Sequence, residues 1–369
     1  MTSSTKTYFP NLNALRFYAA LSVMLTHIPA YASFFGRVVE RLPVDRFLLI
    51  GDSVTLFFVI SGYLVTHSLL RAHDKPSGID VRRYWIGRAL RILPLYVFIV
   101  VITMLIFPIQ SAGDAAVWTL LVMANVARAF YMTTPFVHLW SIAVEEHYLY
   151  ALPLLLKRLH PIKLFVGVLI VRAVFIMVAA TLPIESPVRN LLVMYQFEGF
   201  ALGGLAAYAV FRRGALVAWL HAHERMIIAL FIGIVLLPYY KTLEDTLLVF
   251  SAYKLVTSSI LTAFIVVVTT KPNALIHLEG RVWNRLGQAT YGIFIYHILL
   301  IGVLLPLFQS VALDEFGGSL LFHLTVIGIS IVVGIISYQL IEKPISRLRE
   351  RMTQRAANPV LEPSAQTTA

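Results

Sequence analysis

The sequence has no cysteine in its 369 residues. That excludes thiol nucleophiles, cysteine-ligated zinc, iron–sulfur clusters and a disulfide-built secreted scaffold. Charge is also scarce. Asp, Glu, Lys and Arg together make up 13% of the chain, about half their share in ordinary globular domains. Hydrophobic residues fill the space at 59%, and the mean hydropathy is +0.79. A soluble chain this apolar has too few polar groups to cover its surface, and a disordered one needs the opposite composition. A polytopic membrane protein of the all-α class fits, because lipid admits only helices and closed barrels, and the apolar runs here are of helical length.

Acidic residues are scarcer than basic ones, 19 against 30, which gives a net charge of +11. In a soluble protein such an excess points to nucleic acid; in a membrane protein it points to cytoplasmic loops. The placement of the charges decides. Ten apolar runs predict spans at 12–33, 50–70, 86–107, 139–156, 164–183, 190–211, 226–240, 247–270, 287–308 and 319–341. A weaker stretch at 115–131 reads as interfacial or re-entrant, since an eleventh span would invert everything after it. With the N-terminus inside, twenty-two Lys and Arg fall on one side, including six in 71–91 and five from Lys343 to Arg355, and six on the other. Arg172 and Lys254 fall within spans. This asymmetry predicts ten spans with both termini cytoplasmic. The lipid bilayer is then the partner, and nucleic acid drops out. Lys6, the first apolar run and Ala30-Tyr31-Ala32 imitate a cleavable signal peptide, but Arg16 interrupts the approach to that run. Residues 1–345 read as one transmembrane domain. Residues 346–369 read as a basic, then polar and disordered, cytoplasmic tail. No internal repeat is evident.

Ionisable side chains at membrane depth cost about 2.5–3.5 kcal/mol each on insertion scales, so their presence signals function. The first span holds Arg16 and His27. Eleven residues make three helical turns plus about 20°, so both project from one face, about 16 Å apart along the axis. A snorkelling arginine explains Arg16, but lipid packing gives no reason for His27. The fourth span begins with His138-Leu139-Trp140-Ser141 and carries Glu145-Glu146-His147. The two carboxylates point about 100° apart. They suit a structural ion pair with Arg172 or Lys254, or acid–base work beside a histidine. Arg82, Arg83, Arg88 and Arg91 cluster at the mouth of the third span, with Arg88 and Arg91 on one helix face. The cluster suits topological anchoring or a phosphorylated ligand. Phe57 to Tyr63 puts Ser61-Gly62 where helices can approach closely. Glu198, Lys254 and His297 lie in spans as further pairing candidates. His221-Ala222-His223 lacks further ligands and reads as solvated loop. No Walker A loop, G-x-S-x-G or H-E-x-x-H is present, and no metal site is predicted.

Six segments in order resemble the acyltransferase-3 family of membrane-bound acyltransferases, over about residues 10–345. Arg16 to His27 resembles its Arg-x10-His motif, and Phe57 to Tyr63 is similar to FFVxSGF/Y. Arg88 to Arg91 resembles RxxR, and Trp140-Ser141 to Glu145-Glu146 resembles WSLxVEE. Leu286-Gly287 to Tyr291, with Tyr296-His297, resembles (S/T)YxxYxxH. Ser337-Tyr338 to Glu342-Lys343-Pro344 matches SYxxIEKP. His147 departs from the glutamine usual after the glutamate pair. The resemblance is to the short form without an esterase-like domain.

That resemblance implies an O-acyltransferase, with the acyl group, acetyl above all, passing from acyl-CoA to a hydroxyl of a carbohydrate or lipid-linked glycan. The implied catalytic residues are His27, Glu145, Glu146 and Arg16, with His27 as general base or transient acyl carrier and Glu145 orienting it. Arg88, Arg91, Arg83 and Arg16 would hold the donor's phosphates. Ser61, Tyr63, His138, Trp140, Tyr296 and His297 would line the substrate pocket. Acyl-CoA would be a co-substrate, with no tightly bound cofactor. The expected location is the bacterial inner membrane. The rival class is a proton-coupled secondary transporter using the same histidines and glutamates. Against it, the chemical residues cluster in the first half and no repeated halves are evident.

Overall fold

The computed structural model describes residues 9–46, 53–107, 112–130, 136–236 and 246–348. Its regular elements are all helical among these residues. Fourteen α-helices follow one another: α1 Leu12–Phe34, α2 Ser53–His73, α3 Val81–Ile106, α4 Ala112–Leu120, α5 Ala124–Phe130, α6 Trp140–Arg158 and α7 Pro161–Thr181, then α8 Pro187–Met194, α9 Phe197–Phe211, α10 Ala215–Ala222, α11 Glu224–Leu236, α12 Leu247–Thr270, α13 Arg281–Leu304 and α14 Phe316–Ser337. Several starts follow from local chemistry. The Asp80 carboxylate accepts the Arg83 amide at the head of α3, and Pro161 and Pro187 occupy first-turn positions where no amide is needed.

Among the described residues, six helical stretches are long and apolar enough to cross a membrane: α2, α3, α7, α12, α13 continued to Phe308, and α14 continued to Leu348. A seventh forms if the α8–α9 stretch and α10, bent by 101°, count as one span. These are fewer than the ten apolar runs of the sequence. The runs at 12–33 and 139–156 do form continuous helices, α1 and α6, but polar and ionisable residues dilute them below that criterion. The run at 226–240 is described only to Leu236. Residues 115–131 divide into α4 and α5 at a break where Val122 has φ 60°, so neither piece is long enough to cross. Lys6, Lys241 and the tail from 349 to 369 lie outside the described residues.

The molecule is turned inside out relative to a soluble protein. Val166, Ile170, Val174 and Met177 form an exposed apolar stripe along α7, the surface of a multi-pass integral membrane protein. Ionisable groups such as Glu146, Arg172, Glu198 and His297 are buried in the bundle. Helices α2 and α9 approach each other closely. An added β-carbon at Gly62 would meet the Phe200 carbonyl oxygen, and one at Gly203 would meet that of Val59. Phe58 stacks on Phe200 beside this contact, ring centroids 4.3 Å apart. The small residues of the second span therefore serve helix packing, as their spacing predicted. Helix α1 runs through the interior against α2 and α13, and α14 covers α13. At its head Asn11 donates to the Val268 and Ile276 carbonyls (2.7 and 2.9 Å) and accepts from the Leu278 amide (2.5 Å). That side chain ties the start of α1 to the α12–α13 connection.

Candidate active site

Polar groups gather at two levels along α1. At the Arg16 level a cavity of about 150 Å³ opens between α1, α2, α3, α6 and α13. Its polar wall carries Arg16, Ser61, Arg88, Arg91, Glu145 and Glu146, and its apolar wall includes Phe57, Ile60 and Phe294. Helix α3 is held in register on α6 by two side chains. The Tyr84 hydroxyl donates to the Leu149 carbonyl at 3.1 Å, and the Trp85 indole donates to that of Tyr150 at 2.9 Å. This register carries Arg88 onto the glutamate pair. Arg88 Nε donates to Glu146 Oε2 at 2.7 Å, and NH2 donates to Glu146 Oε1 at 2.6 Å and to Glu145 Oε1 at 3.0 Å. The Ser61 hydroxyl also donates to Glu145 Oε1, at 2.9 Å.

The glutamate pair thus has an ion partner, but neither of the two considered from the sequence. Arg172 pairs with Glu198 at 2.9 Å, and Lys254 donates to the Thr55 hydroxyl at 3.3 Å. Arg88 itself is buried with two nitrogens committed to carboxylates, so a primary role in holding phosphates does not suit it. Arg91 is exposed at the cavity and Arg16 is half-buried. Arg16 lies within electrostatic reach of Arg91, Glu145 and Glu342. Glu342 stands just beyond α14, and its Oε1 is buried with no hydrogen-bond partner among the described residues. Sequence reasoning quoted Glu342 within the closing motif without giving it a site role. It did the same with Tyr291, which lines the cavity and donates to the Ile92 carbonyl at 2.9 Å.

The second level is built on aromatic nitrogen. His27 Nδ1 lies 2.8 Å from His297 Nε2, and the two rings are nearly parallel, 10° apart. His297 Nδ1 lies 2.5 Å from the Phe294 carbonyl oxygen. His138 crosses the His297 ring edge-on at a centroid distance of 5.2 Å. Its ring nitrogens and the Tyr31 hydroxyl are buried, the first near the Ile295 backbone and the second near that of His138. The Arg128 guanidinium sits over Trp140 at 5.3 Å and within electrostatic reach of His27. Phe294 joins the two levels: its side chain lines the cavity, and its ring lies 5.6 Å from that of His297.

Other expected positions fall outside both levels. Arg83 is exposed. Tyr63 is buried against Phe9 and Thr269. Tyr296 accepts from the Ser337 hydroxyl at 3.4 Å. The His27–Glu145 contact does not form, because each side chain spends its hydrogen bonds at its own level. His147 is a structural pin: its Nε2 donates to the Val122 carbonyl at 3.1 Å, and its Nδ1 lies 3.4 Å from the Tyr195 hydroxyl. No cluster of three metal-ligating side chains occurs among the described residues. The two levels together offer cations at an opening and a basic imidazole further along α1, an arrangement suited to an anionic carrier that reaches inward with a reactive end.

Comparison with known proteins gives a consistent result. Residues 9–339 match the acyltransferase domain family designated acyltransferase 3. The chain is 25% identical to YrhL of Bacillus subtilis, a candidate peptidoglycan O-acetyltransferase, over 92% of this chain and 55% of that protein. It is 25% identical to the peptidoglycan O-acetyltransferase OatA of Listeria monocytogenes, over 40% of this chain and 24% of the relative. It is 28% identical to the O-acetyltransferase OatA of Staphylococcus aureus, over 41% and 25%. The chain therefore spans about a quarter to a little over half the length of these curated relatives. No solved structure matches it.

Proposed function

The chain belongs to the acyltransferase 3 family, and from that premise we propose that it is an integral-membrane O-acetyltransferase moving an acetyl group from a cytoplasmic acyl-CoA to a hydroxyl of a cell-envelope carbohydrate. The observation that carries the proposal is the placement of two unlike polar levels on one helix. Arg16 faces the cavity with Arg91, and His27 sits about 16 Å further along the same face, a distance that a pantetheine arm spans.

In this reading Arg91 and Arg16 hold the donor's phosphates at the opening by charge-assisted hydrogen bonds. Phe57, Ile60 and Phe294 offer the arm an apolar wall that excludes water. His27 removes the proton from the acceptor hydroxyl as its oxygen attacks the thioester carbon; the carbon–sulfur bond breaks, and the proton passes to the departing thiolate. The Arg88 clamp keeps two carboxylates as a compact anionic wall beside Arg16. Glu342 supplies a further negative charge within electrostatic reach of Arg16 and Arg91 and so helps to pre-position both. The acceptor comes to His27 from the far side, near His138 and Trp140, and the cytoplasmic side is the one with the denser basic loops. The inner membrane of a bacterium is the location this reading requires. A peptidoglycan-type glycan is the acceptor class to test first, because the relatives' names point there.

The experiment is acetyl transfer by the purified full chain in proteoliposomes, with labelled acetyl-CoA supplied on one face and glycan fragments on the other. Label on a glycan hydroxyl supports the reading. Label retained on the donor, with transport of either compound instead, overturns it.

A further inference from the structure

We infer that His297 is the positioning residue that fixes the ring tautomer of His27 and so leaves His27 Nε2 as the base. The inference deepens the reading above and rests on it. A carbonyl oxygen can only accept, so the 2.5 Å contact between His297 Nδ1 and the Phe294 carbonyl requires the proton on His297 Nδ1. In a neutral ring that leaves His297 Nε2 with a lone pair. Nε2 faces His27 Nδ1 at 2.8 Å, so His27 Nδ1 must carry the proton and donate it. His27 Nε2 is then the unprotonated nitrogen. One carbonyl, fixed by the α13 backbone three residues before His297, sets the protonation pattern of two rings.

The alternative pattern needs His297 to donate from both nitrogens, which makes it a cation. His297 is 0% exposed, and among the described residues it meets a carbonyl, two imidazoles and the Phe294 ring. Nothing in that group offsets a positive charge, and an uncompensated buried cation is costly. The neutral relay is the pattern that its surroundings support. The nearly parallel rings also hold His27 in one orientation, with Nε2 on the side away from His297. During transfer, the proton taken from the acceptor hydroxyl sits on His27 Nε2 until the thiolate accepts it. While His27 is an imidazolium, its Nδ1–H bond to His297 is charge-assisted and therefore stronger. His297 thus does by neutral means what a carboxylate does in a serine–histidine–aspartate triad, and never touches the acceptor itself.

The test separates the two nitrogens of His297 in the full-length protein. His297→Gln places an amide oxygen near the Nε2 position and still accepts from His27 Nδ1–H. His297→Asn keeps a donor near the Nδ1 position, for the Phe294 carbonyl, but does not reach His27. The expected result is kcat within about tenfold of wild type for Gln and a loss of roughly 100-fold or more for Asn, the range of a lost general base. The donor KM should be unchanged in both. Thermal unfolding in detergent verifies that each variant folds. Full activity of Asn, or an equal loss in folded Gln and Asn, overturns the inference. His27→Ala is run beside them: if it retains turnover, the reading of the active site has failed, and the relay with it.

Discussion

Arg88 and Glu146 meet in a two-pronged pair, Nε to Oε2 at 2.7 Å and NH2 to Oε1 at 2.6 Å, with only 9% and 3% of the side chains exposed. Removing one partner from such a pair strands a buried charge. Arg88→Gln should therefore destabilise the protein by about 3–5 kcal/mol, read as a lower midpoint of thermal unfolding in detergent. A folded variant with unchanged stability and a raised donor KM would instead make Arg88 a phosphate ligand.

Arg91, exposed at the same cavity, should behave in the opposite way. Arg91→Gln is expected to leave thermal stability within about 0.5 kcal/mol of wild type. It should raise the acyl-CoA KM about tenfold or more, the worth of one charge-assisted contact. Donor-dependence curves for the two variants, measured side by side, distinguish the roles of the two arginines.

The glutamates should split likewise. Glu146 faces Arg88 with both oxygens, whereas Glu145 is shared between Arg88 and Ser61 and is more exposed. Glu146→Gln should cost more stability than Glu145→Gln, and Ser61→Ala about 1 kcal/mol. Unfolding midpoints of the three variants check the order.

Gly62→Ala places a methyl group against the Phe200 carbonyl oxygen, and backbone cannot step aside as a side chain can. The variant should lose about 1–3 kcal/mol or fail to assemble. Gly167, whose added β-carbon meets nothing within 4 Å, is the control and should tolerate alanine.

The fold class was legible in the hydropathy, because lipid demands apolar helices. The helical repeat alone is what assigns Arg16 and His27 to one face of α1. The small residues at Ser61-Gly62 also announced a close contact, though not that α9 would fill it. Partners were another matter. Glu146 meets Arg88 across 58 residues and His27 meets His297 across 270, and a single sequence holds no signal of which helix neighbours which. For that reason the carboxylate next to a histidine in the chain was matched to the wrong imidazole: Glu145 stays with Arg88, and His27 goes to His297. Where a helix breaks is equally hard to read. The weakness of 115–131 was legible, and the backbone does turn there at Val122, but the run at 190–211 gives no sign of the break between α8 and α9.

The central claim is that His27 performs the proton transfer. His27→Ala removes an imidazole that the bundle does not need for insertion, since among the described residues its hydrogen bond is to a single neighbour, His297. The deciding measurement is the rate of acetyl transfer from labelled acetyl-CoA to glycan by this variant in proteoliposomes, at matched protein and with donor binding measured separately. The account predicts turnover at least about 100-fold below wild type with donor affinity preserved. Wild-type turnover by the folded, inserted variant would contradict it.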